Sequence, residues 1–183
     1  MGKLTLKDLK RLAKQPAASS PVVRVALIGD TATQFLATAL RGLGVAKGYN
    51  IDLFEAEYNQ VYQQFMDPDS ELYKHDAEFI VLFQSTHKLC EKHSMLSPQE
   101  QVSLASERLQ FVESVAETPA LDGKKIICLN YPEIEDTVFG SYANKVESSF
   151  TYQVRKLNFG LMELAQKHPN LFVCDIAGLQ NKL

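Results

Sequence analysis

The chain has 183 residues, 45% of them hydrophobic, with a formal net charge of −3. That length lets one domain bury ~70% of its unfolded surface, which excludes a small disulfide-stapled scaffold. The balance of charge excludes the basic footprint of a nucleic-acid binder, and no apolar stretch reaches the ~18 residues of a membrane span.

Three cysteines are an odd number, and Cys128 and Cys174 fall inside apolar runs. The pattern predicts buried thiols in a reducing compartment rather than a disulfide framework. The N-terminus lacks a signal-peptide core, so the expectation is a soluble, cytoplasmic protein. Oligomeric state is not legible from these residues.

In chain order, Leu4 to Lys14 places Leu4, Leu6, Leu9 and Leu12 on one helical stripe, with Thr5 and Asp8 spaced as a helix cap. The stretch Gln15-Pro16-Ala17-Ala18-Ser19-Ser20-Pro21 breaks that pattern and reads as a linker. Residues 1–21 are therefore expected to be a helix and linker, and residues 22–183 an α/β domain. Five continuous apolar runs follow: Val22–Ile28, Ile51–Ala56, Phe79–Phe83, Lys125–Leu129 and Leu171–Ile176. Continuous rather than alternating runs are the mark of strands covered on both faces.

Helical patterns separate the runs. Thr33–Leu43 follows the first and Asn59–Met66 the second. Ser97-Pro98-Gln99-Glu100 is a capping box with proline at the first helical position, and Val102, Ala105, Leu109, Val112 and Val115 extend one stripe to Pro119. A last helix holds Val146, Phe150, Val154, Leu157, Leu161 and Leu164 and ends near His168-Pro169. Alternating strands and helices predict right-handed crossovers and a parallel sheet. The expected fold is a three-layer α/β/α, flavodoxin-like arrangement with five strands in the order 2-1-3-4-5.

In such a sheet ligands bind beyond the carboxyl ends of the strands. Five loops are thereby nominated: Gly29–Thr33, Glu57–Gln60, Gln84–His87, Asn130–Glu133 and Asp175-Ile176. Asp30, Thr31, Thr33, Asn59, Gln84 and Asn130 supply hydrogen-bonding side chains there. Asp, Thr and Asn at helix starts are also ordinary caps, so the case rests on their convergence. The first turn has one glycine where a dinucleotide fingerprint needs three. Gly42, Gly44 and Gly48 read as helix terminators, and Asp67-Pro68-Asp69 as a turn with a helix cap.

His87, Cys90 and His93 lack the second pair that a tetrahedral metal set requires, so neither metal nor cofactor is expected. The segment Tyr131–Lys145 reads either as a lid or partner surface or as an ordered surface excursion.

A strand ending in Gly29-Asp30-Thr31 and opening a helix resembles the first block of the GDSL/SGNH hydrolases, in which Gly-Asp-Ser supplies the nucleophile. The chain more closely resembles the N-terminal domain of FkbH-like proteins, multidomain members of the HAD superfamily. The matching pieces are Gly29–Gln34, Tyr58-Asn59-Gln60, Asp67–Tyr73, Ser148-Ser149-Phe150 and Asp175-Ile176.

The resemblance implies an SGNH-like domain partnered by a HAD phosphatase-type domain. In some members it implies transfer of a glyceryl unit from a phosphorylated glycerate to a carrier-protein thiol; others accompany surface-polysaccharide or related biosynthesis. The hydrophobic strand leading into Asp-x-Asp that a HAD domain requires is not in these 183 residues. The expectation is an N-terminal portion, too short to be a complete enzyme.

Carried over by position, Thr31 stands in the nucleophile's place. Gln84-Ser85-Thr86 stands where the oxyanion-hole Asn belongs, and Asp175 is followed by Ile176-Ala177-Gly178 rather than by the family's histidine. His75 and His168 precede strands and fall at the amino edge of the sheet. His87 follows the third strand, so a catalytic couple would be Thr31 with His87. Three readings stay open: a domain that binds an acyl or glyceryl group or its carrier, an esterase or acyltransferase using Thr31 and His87, and an inactive assembly module.

Overall fold

The computed structural model of the chain describes residues 4–15, 19–135 and 137–180. Residues 16–18 of the expected linker, and Asp136 of the segment Tyr131–Lys145, lie outside the described residues. In chain order the elements are α1 (Leu6–Leu12), β1 (Val22–Gly29), α2 (Gln34–Ala46), β2 (Asn50–Glu55), α3 (Val61–Met66), α4 (Glu71–His75) and β3 (Phe79–Phe83). Then come α5 (Thr86–Met95), α6 (Pro98–Gln101), α7 (Leu104–Ala116), β4 (Lys125–Leu129), α8 (Phe150–Lys167), β5 (Leu171–Cys174) and α9 (Ile176–Gln180). Short 3-10 turns occupy Pro119–Leu121 and Gly140–Lys145. The strands form one five-stranded parallel sheet in the order β2-β1-β3-β4-β5, as the apolar runs predict.

The chain forms two compact units, residues 1–81 and 82–183. In the first, β1 pairs in parallel with β2, Val23 opposite Ile51 and Leu27 opposite Glu55. Residues 25–29 of β1 are all buried, and α3 and α4 both pack against the strand. Leu27, Ile28, Phe65, Leu72 and Ile80 centre this core. The cap on α1 is complete: the Asp8 backbone N–H donates to Thr5 Oγ1, and the Thr5 N–H donates to Asp8 Oδ2 at 3.0 Å.

Two of the three glycines expected to terminate α2 lie inside it. A Cβ at Gly42 would come within 2.3 Å of the Leu9 carbonyl oxygen of α1, and one at Gly44 within 2.5 Å of the Ile51 side chain. These positions let neighbouring elements approach the helix closely, a tertiary reason that local sequence does not carry. Gly48 does follow the helix end, at φ +83°.

In the second unit β4 pairs in parallel with β5, Ile126 opposite Leu171, and Leu104, Val115, Ile126, Phe150, Leu157 and Leu161 are buried. The stripe from Ser97 to Pro119 predicts one helix, yet it breaks between α6 and α7. The Ala105 N–H donates to the buried Gln153 side chain of α8 at 2.9 Å, and the Gln101 amide donates to the carbonyls of His93 and Leu96. A side chain from α8 thus takes over backbone bonding at the break, while Gln101 ties α6 to the end of α5. A helix at α5 was not foreseen. Cys128 is buried as expected, but Cys174 is exposed, and among the described residues all three cysteines are free thiols.

Candidate functional site

Both units present polar residues at the carboxyl ends of their strands. In the first, the carboxyl ends of β1 and β2 open into a cleft of about 670 Å³ lined by Thr31, Thr33, Gln34, Glu55, Glu57 and Tyr58, among others. Strand β1 must turn sharply into α2 here, which sets the small side chains of residues 30–33 at the strand end. Thr33 is 3% exposed, and its hydroxyl donates to Glu55 Oε1 at 2.5 Å. Thr33 occupies the N-cap position of α2 without making a side-chain cap bond, so its hydroxyl serves the adjacent strand instead. The Thr31 hydroxyl bonds to none of the described residues.

Asp30 and Asn59 adjoin lining residues in sequence without lining the cleft themselves. Asn59 sits at φ +68°, a conformation that its short polar side chain tolerates, and it turns the chain from Tyr58 toward α3. A second cleft of about 460 Å³ shares Glu55 and Glu57 and adds Gln60, Asp67, Asp69 and Glu71. Asp67-Pro68-Asp69 is the expected turn, its Asp69 N–H donating to Asp67 Oδ1 at 2.9 Å. Ser70 begins α4, but its hydroxyl donates to the Gln64 carbonyl at 2.7 Å rather than capping the helix.

The strand ends of the second unit are equally polar and differently used. Gln84 is 5% exposed, and its oxygen accepts from the buried Tyr131 hydroxyl at 2.9 Å. The Tyr131 N–H donates to Asn158 Oδ1 at 2.9 Å, and Asn158 Nδ2 donates to the Tyr131 carbonyl at 2.8 Å. Asn130 spends both ends of its amide, donating to Asp175 Oδ1 at 2.7 Å and accepting from the Ala177 N–H at 2.9 Å. Gln84 and Asn130 therefore hold the chain together after β3 and β4.

His87 is exposed on the first turn of α5 and forms no hydrogen bond or ion pair with any described residue. His93 is buried, with Nε2 2.7 Å from the Ser148 carbonyl and its ring edge-on to Phe150. That pairing gives the Ser148-Ser149-Phe150 motif a packing role. Burial pushes the Cys128 thiol up to about 12, so it is no thiolate nucleophile at neutral pH.

The segment after β4 is an ordered excursion over its described residues. Arg155 grips both Glu133 oxygens, at 2.8 and 2.6 Å, and also bonds Asn144. The Gln180 amide donates to the Glu133 carbonyl at 3.0 Å. The Arg155 bond holds the Glu133 carboxyl below the usual carboxylate range.

Sequence reasoning missed Glu55 and Asn158, and it nominated Tyr131 only as part of a loop. A carboxylate inside the apolar run Ile51–Ala56 was the available signal for Glu55. Nothing local marks Asn158, which lies on a helix 27 residues from its partner.

Residues 24–183 match the family model described as FkbH, N-terminal domain. The structure is similar to the N-terminal part of the protein BF1531 from Bacteroides fragilis, which contains a phosphatase domain and is complexed with Mg. The TM-score is 0.94 at 52% identity, covering 98% of this chain and 47% of that one. The chain thus spans about half the length of that neighbour. The acetyl xylan esterase AlAXEase is similar at a TM-score of 0.54 and 15% identity, over 87% of this chain and 83% of that one, a likeness of fold. No match was found among curated proteins.

Proposed function

We propose, since the chain belongs to the FkbH N-terminal-domain family, that its strand-end cleft binds a small acyl or glyceryl group, or the carrier that bears it. The group would be held for transfer in a biosynthetic pathway, with a phosphatase-type domain as the partner. The observation that carries this reading is the chemistry of the lining: the Thr31 hydroxyl, the hydrogen-bonded Thr33–Glu55 pair and the Glu57 carboxylate border one cleft with no Lys or Arg among its described lining residues. Hydroxyls of a glyceryl unit can donate to the carboxylates, and the Thr31 hydroxyl can donate to an acyl carbonyl. A phosphorylated ligand would meet like charge, which disfavours it. The group suited to the cleft is therefore neutral.

A second reading makes Thr31 the nucleophile of an esterase or acyltransferase. It draws on the same cleft and on a hydroxyl engaged by no described residue. Such a hydroxyl needs a base to activate it, and the sequence expectation for that base is His87, whose ring no described side chain orients.

The test is incubation of the chain with activated esters, glyceryl and acetyl thioesters and acylated carrier protein, for wild type and Thr31→Ala. Saturable binding without turnover, weakened by Thr31→Ala, is the expected result. Turnover abolished in Thr31→Ala would establish the second reading instead. Neither binding nor turnover would leave the inactive assembly module.

A further inference from the structure

Glu113 and Glu117 stand one turn apart near the end of α7, a spacing that puts both carboxylates on one helix face. The residue that ends α8, His168, points its ring at them: Nε2 lies 3.5 Å from Glu113 Oε1 and 3.9 Å from Glu117 Oε1. All three ligand atoms lie within 4.8 Å of one another. His168 is only 9% exposed, and its Nε2 is sealed from solvent with no hydrogen-bond partner among the described residues. The 3.5 Å contact is too long for an N–H···O bond. A buried polar atom left in this way is costly.

The turn that carries the ring is also held. The His168 N–H donates to the Leu164 carbonyl at 2.8 Å, and the His168 carbonyl accepts from the Leu171 N–H at 3.0 Å. The Asn170 amide ties the same turn to the Ala116 carbonyl at 2.9 Å. The backbone that carries the imidazole is thus fixed before any ligand arrives. The charge on the carboxylates is met by Lys167, which bonds Glu113 and approaches Glu117 at 4.0 Å. Its side chain is 61% exposed and can swing into solvent without moving the backbone.

We infer that Glu113, Glu117 and His168 form a zinc-type divalent metal site, with Lys167 as the internal cation that the metal displaces. Two carboxylates match the dication's charge. The imidazole favours zinc or a neighbouring transition metal over magnesium or calcium. Tetrahedral bonds of ~2.0–2.1 Å set ligand atoms ~3.3 Å apart, close to the separations from Nε2. A fourth position is left for water. The bound ion would staple α7 to the turn between α8 and β5, and this role is independent of the strand-end cleft.

The test is titration of the whole chain with ZnCl2 by calorimetry and with CoCl2 by visible absorption, in a Cys90→Ser/Cys174→Ser background so that accessible thiolates cannot bind the ion. Stoichiometric binding with the cobalt spectrum of a tetrahedral nitrogen–oxygen site is expected. Glu117→Gln and His168→Asn should each weaken it by about tenfold or more, and Lys167→Met should tighten it by about tenfold, as removal of a competing cation requires. Glu117 is exposed, so its variant tests the site even if His168→Asn fails to fold. Absence of saturable binding in both wild type and Lys167→Met, or unchanged affinity in Glu117→Gln, would overturn the inference.

Discussion

The strand ends of residues 1–81 and those of residues 82–183 carry the same kinds of side chain and use them in opposite ways. After β1 and β2, Thr31 lines an open cleft with a hydroxyl that bonds no described residue, beside Glu55 and Glu57, whose carboxylates accept from Thr33 and Gln60 and keep further acceptor capacity. After β3 and β4, Gln84, Tyr131, Asn158 and Asn130 bond one another or the local backbone. A polar residue at a strand end is thus a candidate for ligand binding only when its hydrogen-bonding capacity is not already taken. Burial enforces the difference, since an unpaired polar group inside the protein is costly while one facing a cleft is solvated.

If this contrast is right, substitutions in the second unit should cost stability and those in the cleft should not. Asn158→Ala should have the largest effect. It strips partners from both the N–H and the C=O of Tyr131 and should lower unfolding free energy by about 2–4 kcal/mol, measured by urea denaturation. Tyr131→Phe leaves the buried Gln84 oxygen unpaired and should cost about 1–3 kcal/mol by the same measurement. A cost below experimental error in both would mean that these bonds are no more structural than the cleft.

The Glu133–Arg155 pair should matter less, because both side chains are about half exposed and solvent screens them to below about 1 kcal/mol. The folded carboxyl is held below its unfolded value. Its contribution is therefore present above the unfolded pKa and lost as pH falls through the folded one. Glu133→Gln should accordingly destabilise the protein at neutral pH and become indistinguishable from wild type in acid, as thermal melts across pH would show. A difference that grows in acid would break this account.

Thr31→Ala should have the smallest effect on stability, within about 0.5 kcal/mol, while weakening binding of the acyl or glyceryl probe. A large loss of stability would place Thr31 with the structural residues of the other unit. The thiols sharpen the contrast between exposed and buried groups once more. A disulfide reagent at neutral pH should label Cys174 rapidly and Cys128 only after unfolding, because burial suppresses the Cys128 thiolate.

Much of the fold was legible in the residues. Apolar runs located all five strands, Thr5 and Asp8 announced the cap of α1, and strict alternation with helices led to the order 2-1-3-4-5. These are local signals: a covered strand needs a continuous apolar run, and a helix start needs an acceptor for its free N–H groups. The motif blocks from Gly29 to Ile176 likewise pointed to the family that the match over residues 24–183 shows. The strand-end rule also pointed to the loop whose Thr31 and Thr33 line the cleft.

Tertiary structure decided the rest, because the deciding partners are far apart in sequence. Gly42 is small because α1 crosses it, not because a helix ends there. The helix predicted across Val102 and Ser103 breaks where Gln153, 48 residues on, takes the Ala105 N–H. Gln84 and Asn130 read as binding residues until Tyr131 and Asp175 are seen to hold them. The approach of His168 to Glu113 and Glu117 leaves no local trace either, since its geometry exists only once α7 and α8 have packed. A sequence states which groups can form bonds, and the fold alone determines which of them are already satisfied.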